Sequence, residues 1–274
     1  VRGRIALASS YGLPGRDVER AFERGVTSFF WGALRRRDFG AALRRIARRN
    51  RDAIEIAVQT YTGRARLVAP SVDLARLRLG VDSIDVLGLG FWKEPPPRAI
   101  VEIATELRLR GVVKSIVVSS HDRATLAALV DDDAYDAVMV RYNAAHVGAE
   151  ESVFPRALAR RRPVIAYTAT RWGTLVTNPP SGTDCYRFAI SHPAVRTCLA
   201  APKDAAELDG VLDALARGPM TAEELVTMRV LGAEVRRERK HAPPRPTPWE
   251  HARAIARELY ERGVTEELLS RFLR

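Results

Sequence analysis

The stretch "IDVLGLGFWKEPPPRAIVEIATELRLRGVVKSIVVSS", residues 84–120, holds the fold in miniature. Two near-continuous apolar runs, 84–92 and 115–120, bracket an amphipathic segment at 99–111 that ends in Gly111. A strand buried on both faces reads as an unbroken apolar run, and a helix between two such strands makes them parallel. Reading outward, the same rhythm recurs. Apolar runs fall at 4–10, 26–31, 54–61, 137–143, 163–168 and 195–202, alternating with helical patterns such as 17–25, 39–50, 71–80, 123–130 and 206–218. Eight strand-plus-helix units predict an α/β fold, a (β/α)8 TIM barrel over residues 1–220. An open doubly wound sheet fits less well, because no GxGxxG turn follows the first run.

After residue 220 the strands stop. Residues 221–274 are expected to form a C-terminal helical extension packed on the barrel. It opens with the capping pair Thr221 and Glu224 and is broken by "APPRPTPWE" at 242–250.

Composition narrows the function. A hydrophobic content of 46% with 28% charged residues describes a chain that folds around a core. The net charge of +11 invites a nucleic-acid reading. However, Lys93, Lys114, Lys203 and Lys240 are the only lysines, so forty of the 44 basic residues are arginine, scattered over nearly every helical segment. Scattered arginine argues against a nucleic-acid stripe. Cys185 and Cys198 lack metal or dithiol spacing and read as buried thiols in a reducing, cytoplasmic compartment. No run is long enough for a membrane span, and neither HxH nor HExxH appears, so no metal is expected.

In barrels of this kind chemistry gathers where the strands end. The residues leaving the strands are Trp31 with Arg35, Arg36 and Arg37; Gln59 and Tyr61; Trp92, Lys93 and Glu94; His121; Arg141, Tyr142, Asn143 and His146; Tyr167, Arg171 and Trp172; and Lys203. Aromatic walls with cationic corners suit a flat or anionic small molecule. Trp31, Trp92, Arg141, Tyr142, Asn143, Arg171 and Trp172 are therefore expected to bind substrate. Tyr61, His121, His146 and Arg35 are the candidate catalytic groups, the histidines because their ordinary pKa lies near neutrality. Arg141 stands out, since a guanidinium ending the apolar run "AVMVR" must meet a carboxylate, a carbonyl or a ligand anion.

The segments "AFERGVTSFFWG" (21–32), "SVDLARLRLGVDSIDVLGLG" (71–90), "LRLRGVVKSIVVSSHDRATL" (107–126), "AVMVRYNAAH" (137–146), "PVIAYTATRWGTL" (163–175) and the stretch 186–225 together resemble the aldo/keto reductase superfamily. The resemblance covers about residues 1–225. It implies a (β/α)8 barrel and NADPH-linked carbonyl reduction, with a Tyr proton donor tuned by a Lys–Asp pair and a His that orients the carbonyl. At those four positions this chain carries Arg35, Gln59, Phe30 and Gly90. Arginine and glutamine do not do the work of that Tyr and Lys. The resemblance places cofactor-binding residues at Ser119, Ser120, Tyr167 and Lys203, while Met139 stands where the family has Gln.

The leading expectation is thus a diverged aldo/keto reductase-like enzyme with NADP as its implied cofactor. Two chemistries stay open: redox with a substitute proton donor, and non-redox acid–base catalysis. The rival is a non-catalytic barrel plugged by its own side chains, with Trp31 packed on Trp172 and Arg141 met by an internal carboxylate.

Overall fold

The computed structural model describes residues 3–32 and 36–241, with side chains to residue 237. Its strands are β1 (Ile5–Ala8), β2 (Ser28–Trp31), β3 (Glu55–Thr60), β4 (Ile84–Trp92), β5 (Val113–Ser120), β6 (Ala137–Arg141), β7 (Val164–Tyr167) and β8 (Val195–Ala200). They pair in sequence order, all parallel, and β8 closes on β1. All eight expected runs are strands. The helices are α1 (Gly15–Glu23), α2 (Arg37–Asn50), α3 (Val68–Leu79), α4 (Arg98–Leu109), α5 (Arg123–Leu129), α6 (Ala149–Ser152), α7 (Phe154–Ala159), α8 (Gly182–Ser191), α9 (Ala205–Arg217) and α10 (Ala222–His241). The chain divides into two compact units, and the barrel belongs to the first, Val1–Arg236.

Strand alternation sorts the side chains into two cores. In β2, Phe29 and Trp31 join the layer between sheet and helices, while Phe30 points inward with Ala8, Val86, Val117, Ala137, Met139, Ile165 and Tyr167. The interior is packed below the mouth. At the opposite end Asp85 braces three neighbouring segments. It accepts from Ile56 N at 2.8 Å and pairs with Arg51 at 2.8 Å and Lys114 at 2.7 Å. This accounts structurally for the acidic residue that opens β4.

The helix α10 starts where its capping pair places it: Thr221 N donates to the Glu224 carboxylate at 2.8 Å, and Glu224 N donates to Thr221 Oγ1 at 3.2 Å. Met228 is buried, and Arg229 donates to Glu150 at 3.0 Å. The rest of the expected extension, 242–274, lies outside the described residues. No described helix is long and apolar enough to cross a membrane. Both cysteines are buried free thiols.

Candidate active site

The strand ends open on a cavity of about 400 Å³. Its walls include Phe30, Gln59, Tyr61, Phe91, His121, Met139, Tyr167, Thr168 and Trp172. A second cavity of about 630 Å³ shares Tyr11, Thr170, Trp172, Tyr186 and Ala201 with the first and runs out past Ser181, Gly182 and Thr183 to Lys203 and Glu207. The two form one groove along the ends of β7 and β8.

His121 is the best-defined polar group in the inner half. Its ring stacks on Phe91 at 5.0 Å and 20°, and its Nδ1 lies 3.1 Å from Tyr167 Oη. The same phenol donates to Ser120 O at 3.0 Å. One hydroxyl proton serves one acceptor at a time, so with Tyr167 donating to Ser120 O, Nδ1 carries the imidazole proton and Nε2 is left as an acceptor. Burial, helped by the Arg141 charge, holds the imidazole pKa below its ordinary value, so the ring is neutral at pH 7. Burial pushes the Tyr167 phenol up to about 12.

Gln59 lines the same cavity as His121. Its amide rests on the glycines of β4: a Cβ on Gly90 would lie 1.8 Å from Gln59 Nε2, and one on Gly88 would lie 3.3 Å from Gln59 Cγ. Both amide atoms are buried without a hydrogen-bond partner among the described residues, as is Thr168 Oγ1 in the same lining. Most buried polar groups find a partner, so these orphaned atoms behind the cavity wall are exceptional.

The other expected residues divide clearly. Tyr61 and Trp172 are exposed and line the cavity, and Tyr167 forms its wall. Ser119 is fully buried, with its Cβ 3.3 Å from where a Gly90 Cβ would stand. Ser120 spends its hydroxyl on Trp92 O and on Asp122 N. Lys203 lines the outer cavity. Trp31 is not brought to the mouth. It packs under α2, where a Cβ on Gly40 would approach its ring to 2.5 Å, and its indole N–H donates to Arg36 O at 3.1 Å. Trp92 packs against the outer core, because a register shift between Leu89 and Trp92 turns Phe91 to the cavity instead. Tyr142 is buried against Phe188 and Phe154, and its hydroxyl donates to Glu150 at 2.6 Å. Asn143, fully buried, donates to Thr168 O at 2.8 Å and ties the loops after β6 and β7 together. His146 bonds Asn143 at 3.2 Å, and Arg171 is buried with one guanidinium N–H on Val235 O at 3.2 Å. Neither these two nor Arg141 lines the groove.

Arg141 ends β6 beside Tyr167 and makes no hydrogen bond or ion pair with the described residues. Its charge still reaches His121 and His146. Burial and then Arg141, Arg171, Arg236 and Arg123 hold the His146 imidazole down at about 4. Arg35 lies outside the described residues. Among the described residues no group of three or more His, Cys, Asp or Glu side chains is placed to hold a metal.

Phe91, Tyr11 and Tyr186 are aromatic lining residues that strand-end reasoning missed, as it missed the polar Thr168 and Thr170. A bulge hides Phe91, and the two tyrosines sit on a loop and a helix. The loop from β7 to α8 carries its own signal: Thr168, Arg171, Trp172 and Asn178 all have positive φ, four of five such non-glycine residues among those described. Strain of this kind collects at functional loops, and here it brings Trp172 to the groove.

A family model described as the aldo/keto reductase family matches residues 16–184. Among solved structures, the holo form of an aldo-keto reductase from Bacillus halodurans is 17% identical over 83% of this chain and 91% of its own, with a TM-score of 0.72. An aldo/keto reductase from Klebsiella pneumoniae, in complex with NADP and acetate, is 18% identical over 88% of this chain and 92% of its own, with a TM-score of 0.70. No curated protein matches at the sequence level. At these identities the likeness to the solved structures concerns the fold.

Proposed function

Because the chain belongs to the aldo/keto reductase family, we propose that it is a dinucleotide-linked oxidoreductase for a small aromatic or anionic carbonyl compound or alcohol, with His121 as its proton-transfer group. The observation that carries this reading is His121 on the cavity wall, with Nδ1 fixed by Tyr167 at 3.1 Å. That is the arrangement of an oriented acid–base residue.

The inner groove fits a nicotinamide. Tyr167 offers a buried aromatic face, and the Gln59 amide offers an unspent donor and acceptor. Farther out, Gly182 and Thr183 are the first residues of α8, so their N–H groups have no intrahelical acceptor and can meet a diphosphate, while the capping-box carboxylate of Asp184 is turned to Ser181 N at 3.0 Å and Ser181 Oγ at 2.7 Å. When bound, a nicotinamide supplies the two-electron step by exchanging a hydride with the substrate carbon. The chain itself handles the proton. Neutral His121 accepts the hydroxyl proton of an alcohol at Nε2, and protonated His121 returns it to a carbonyl oxygen in the reverse direction. Phe91 and Tyr61 wall off one side, with ring centroids 6.0 Å apart.

The positions of Trp31, Trp172 and Arg141 favour an open site over a plugged barrel. Trp31 packs under α2, Trp172 is half exposed, and Arg141 meets no carboxylate among the described residues. Non-redox acid–base chemistry would use the same His121, so the test must read both electron transfer and pH.

The test is turnover of an aromatic aldehyde and an aromatic 2-keto acid with reduced dinucleotide, followed by loss of the reduced nicotinamide absorbance. His121 is held below its ordinary value of about 6.5. Reduction needs its protonated form, so kcat falls as pH rises through a midpoint below that value. His121→Gln lowers kcat about 100-fold with little change in KM. Full activity in His121→Gln, or a rate that does not fall with rising pH in this range, contradicts the assignment.

A further inference from the structure

The outer groove has an unusual charge inventory. Of all the described residues lining the two cavities, only Lys203 and Glu207 carry a full charge at neutral pH. They cancel each other. Lys203 Nζ pairs with one Glu207 carboxylate oxygen at 2.8 Å, and Lys203 N donates to the other at 3.0 Å. One step away, the Asp204 side chain caps α9 by accepting from Glu207 N at 2.9 Å. The anion-attracting start of this helix is thus already met by the chain's own carboxylates. Arg36 lines neither cavity and spends one guanidinium N–H on Ser10 O at 2.7 Å.

An adenosine ribose comes in two forms with opposite demands. A 2′-phosphate brings about two further negative charges and needs an unspent cation, whereas a free 2′-hydroxyl needs an acceptor, the role an acidic side chain fills in dinucleotide sites. Here the acceptor is present, and the cation lining the groove among the described residues is already paired with it at 2.8 Å. We infer that the outer groove is built around Glu207 to take the unphosphorylated ribose of NAD(H) and to disfavour NADP(H).

This inference rests on the dinucleotide reading above, and it departs from the NADP that the family resemblance implies. Within it Glu207 acts twice: it neutralises Lys203, and it presents a carboxylate to the vicinal hydroxyls. Like-charge juxtaposition with a 2′-phosphate costs enough to set preference.

The test is calorimetric titration of the full chain with NADH and with NADPH, repeated on Glu207→Arg and Glu207→Gln. Glu207 lies on the exposed rim of α9, and circular dichroism checks that the variants fold. The wild type binds NADH at least about tenfold more tightly than NADPH. Glu207→Arg strengthens NADPH and weakens NADH, and Glu207→Gln, by releasing Lys203, narrows the gap. Equal or tighter NADPH binding by the wild type overturns the inference and leaves the dinucleotide reading standing. Binding of neither nucleotide removes that reading and the inference with it.

Discussion

At the scale of single residues, Gln59 and Gly90 behave as one feature. Resemblance sets them at two separate family positions, the Lys and the His, but in space they share one volume. A Cβ on Gly90 would stand 1.8 Å from Gln59 Nε2 and 2.9 Å from its Cδ. The amide therefore occupies room that any larger residue at 90 would need. Gly90→Ala should displace Gln59 and destabilise the fold, whereas the same change in a Gln59→Ala background meets only Ser119 Cβ at 3.3 Å and costs less. The expected double-mutant coupling is about 1 kcal/mol, read from urea denaturation of the four proteins. Additive effects would show that the two residues are independent. Sequence could name both positions but not their contact, because they lie on different strands and the contact depends on which way a long side chain turns. Trp31 and Trp92 teach the same lesson. Residue type drew both toward the mouth, and strand alternation in β2 and a register shift in β4 sent both to the outer core.

At the scale of elements, the end of the barrel near α8 is held by Arg187. This side chain is buried on α8, and it donates to Gly218 O at 3.0 Å, to Pro219 O at 3.2 Å and to both oxygens of Glu224 at 2.5 and 2.8 Å. It fastens α10 and the turn before it to the helix that opens the outer groove. Arg187→Ala leaves two carbonyls and a carboxylate short of a donor and should cost about 2 kcal/mol. The pair also has a pH signature. Arg187 first, then the Thr221 N–H, holds the Glu224 carboxyl down at about 2. A depressed carboxyl contributes stability that is full above its ordinary value and is lost as pH falls through the folded one. The stability curves of wild type and Glu224→Gln should therefore differ above about pH 4.5 and converge toward pH 2. Parallel curves throughout would mean that the bond carries no linked proton. The capping pair at 221 and 224 was legible in sequence, since it is a local spacing. The clamp to Arg187 was not, because it joins residues of separate helices.

At the scale of the whole molecule, periodicity was enough for the barrel. Eight apolar runs became eight strands in sequence order, since parallel strands buried on both faces leave an unambiguous signature. The short helices after β6 and the long loop before α8 left weaker patterns, and that loop supplies Trp172 to both cavities. Function is less legible than fold because the groove is assembled from strand ends, a left-handed loop turn and two helix starts that no contiguous motif describes. Each functional proposal requires this groove to be a dinucleotide site. The most direct measurement is titration of the full chain with NADH and with NADPH, following tryptophan fluorescence and heat together, in wild type and in Trp172→Phe. A dinucleotide site in this groove should bind saturably in the micromolar range, with the fluorescence change largely lost in Trp172→Phe while the heat persists. Absence of both signals with millimolar NADH and with millimolar NADPH, or a fluorescence change that survives the loss of Trp172, would contradict it.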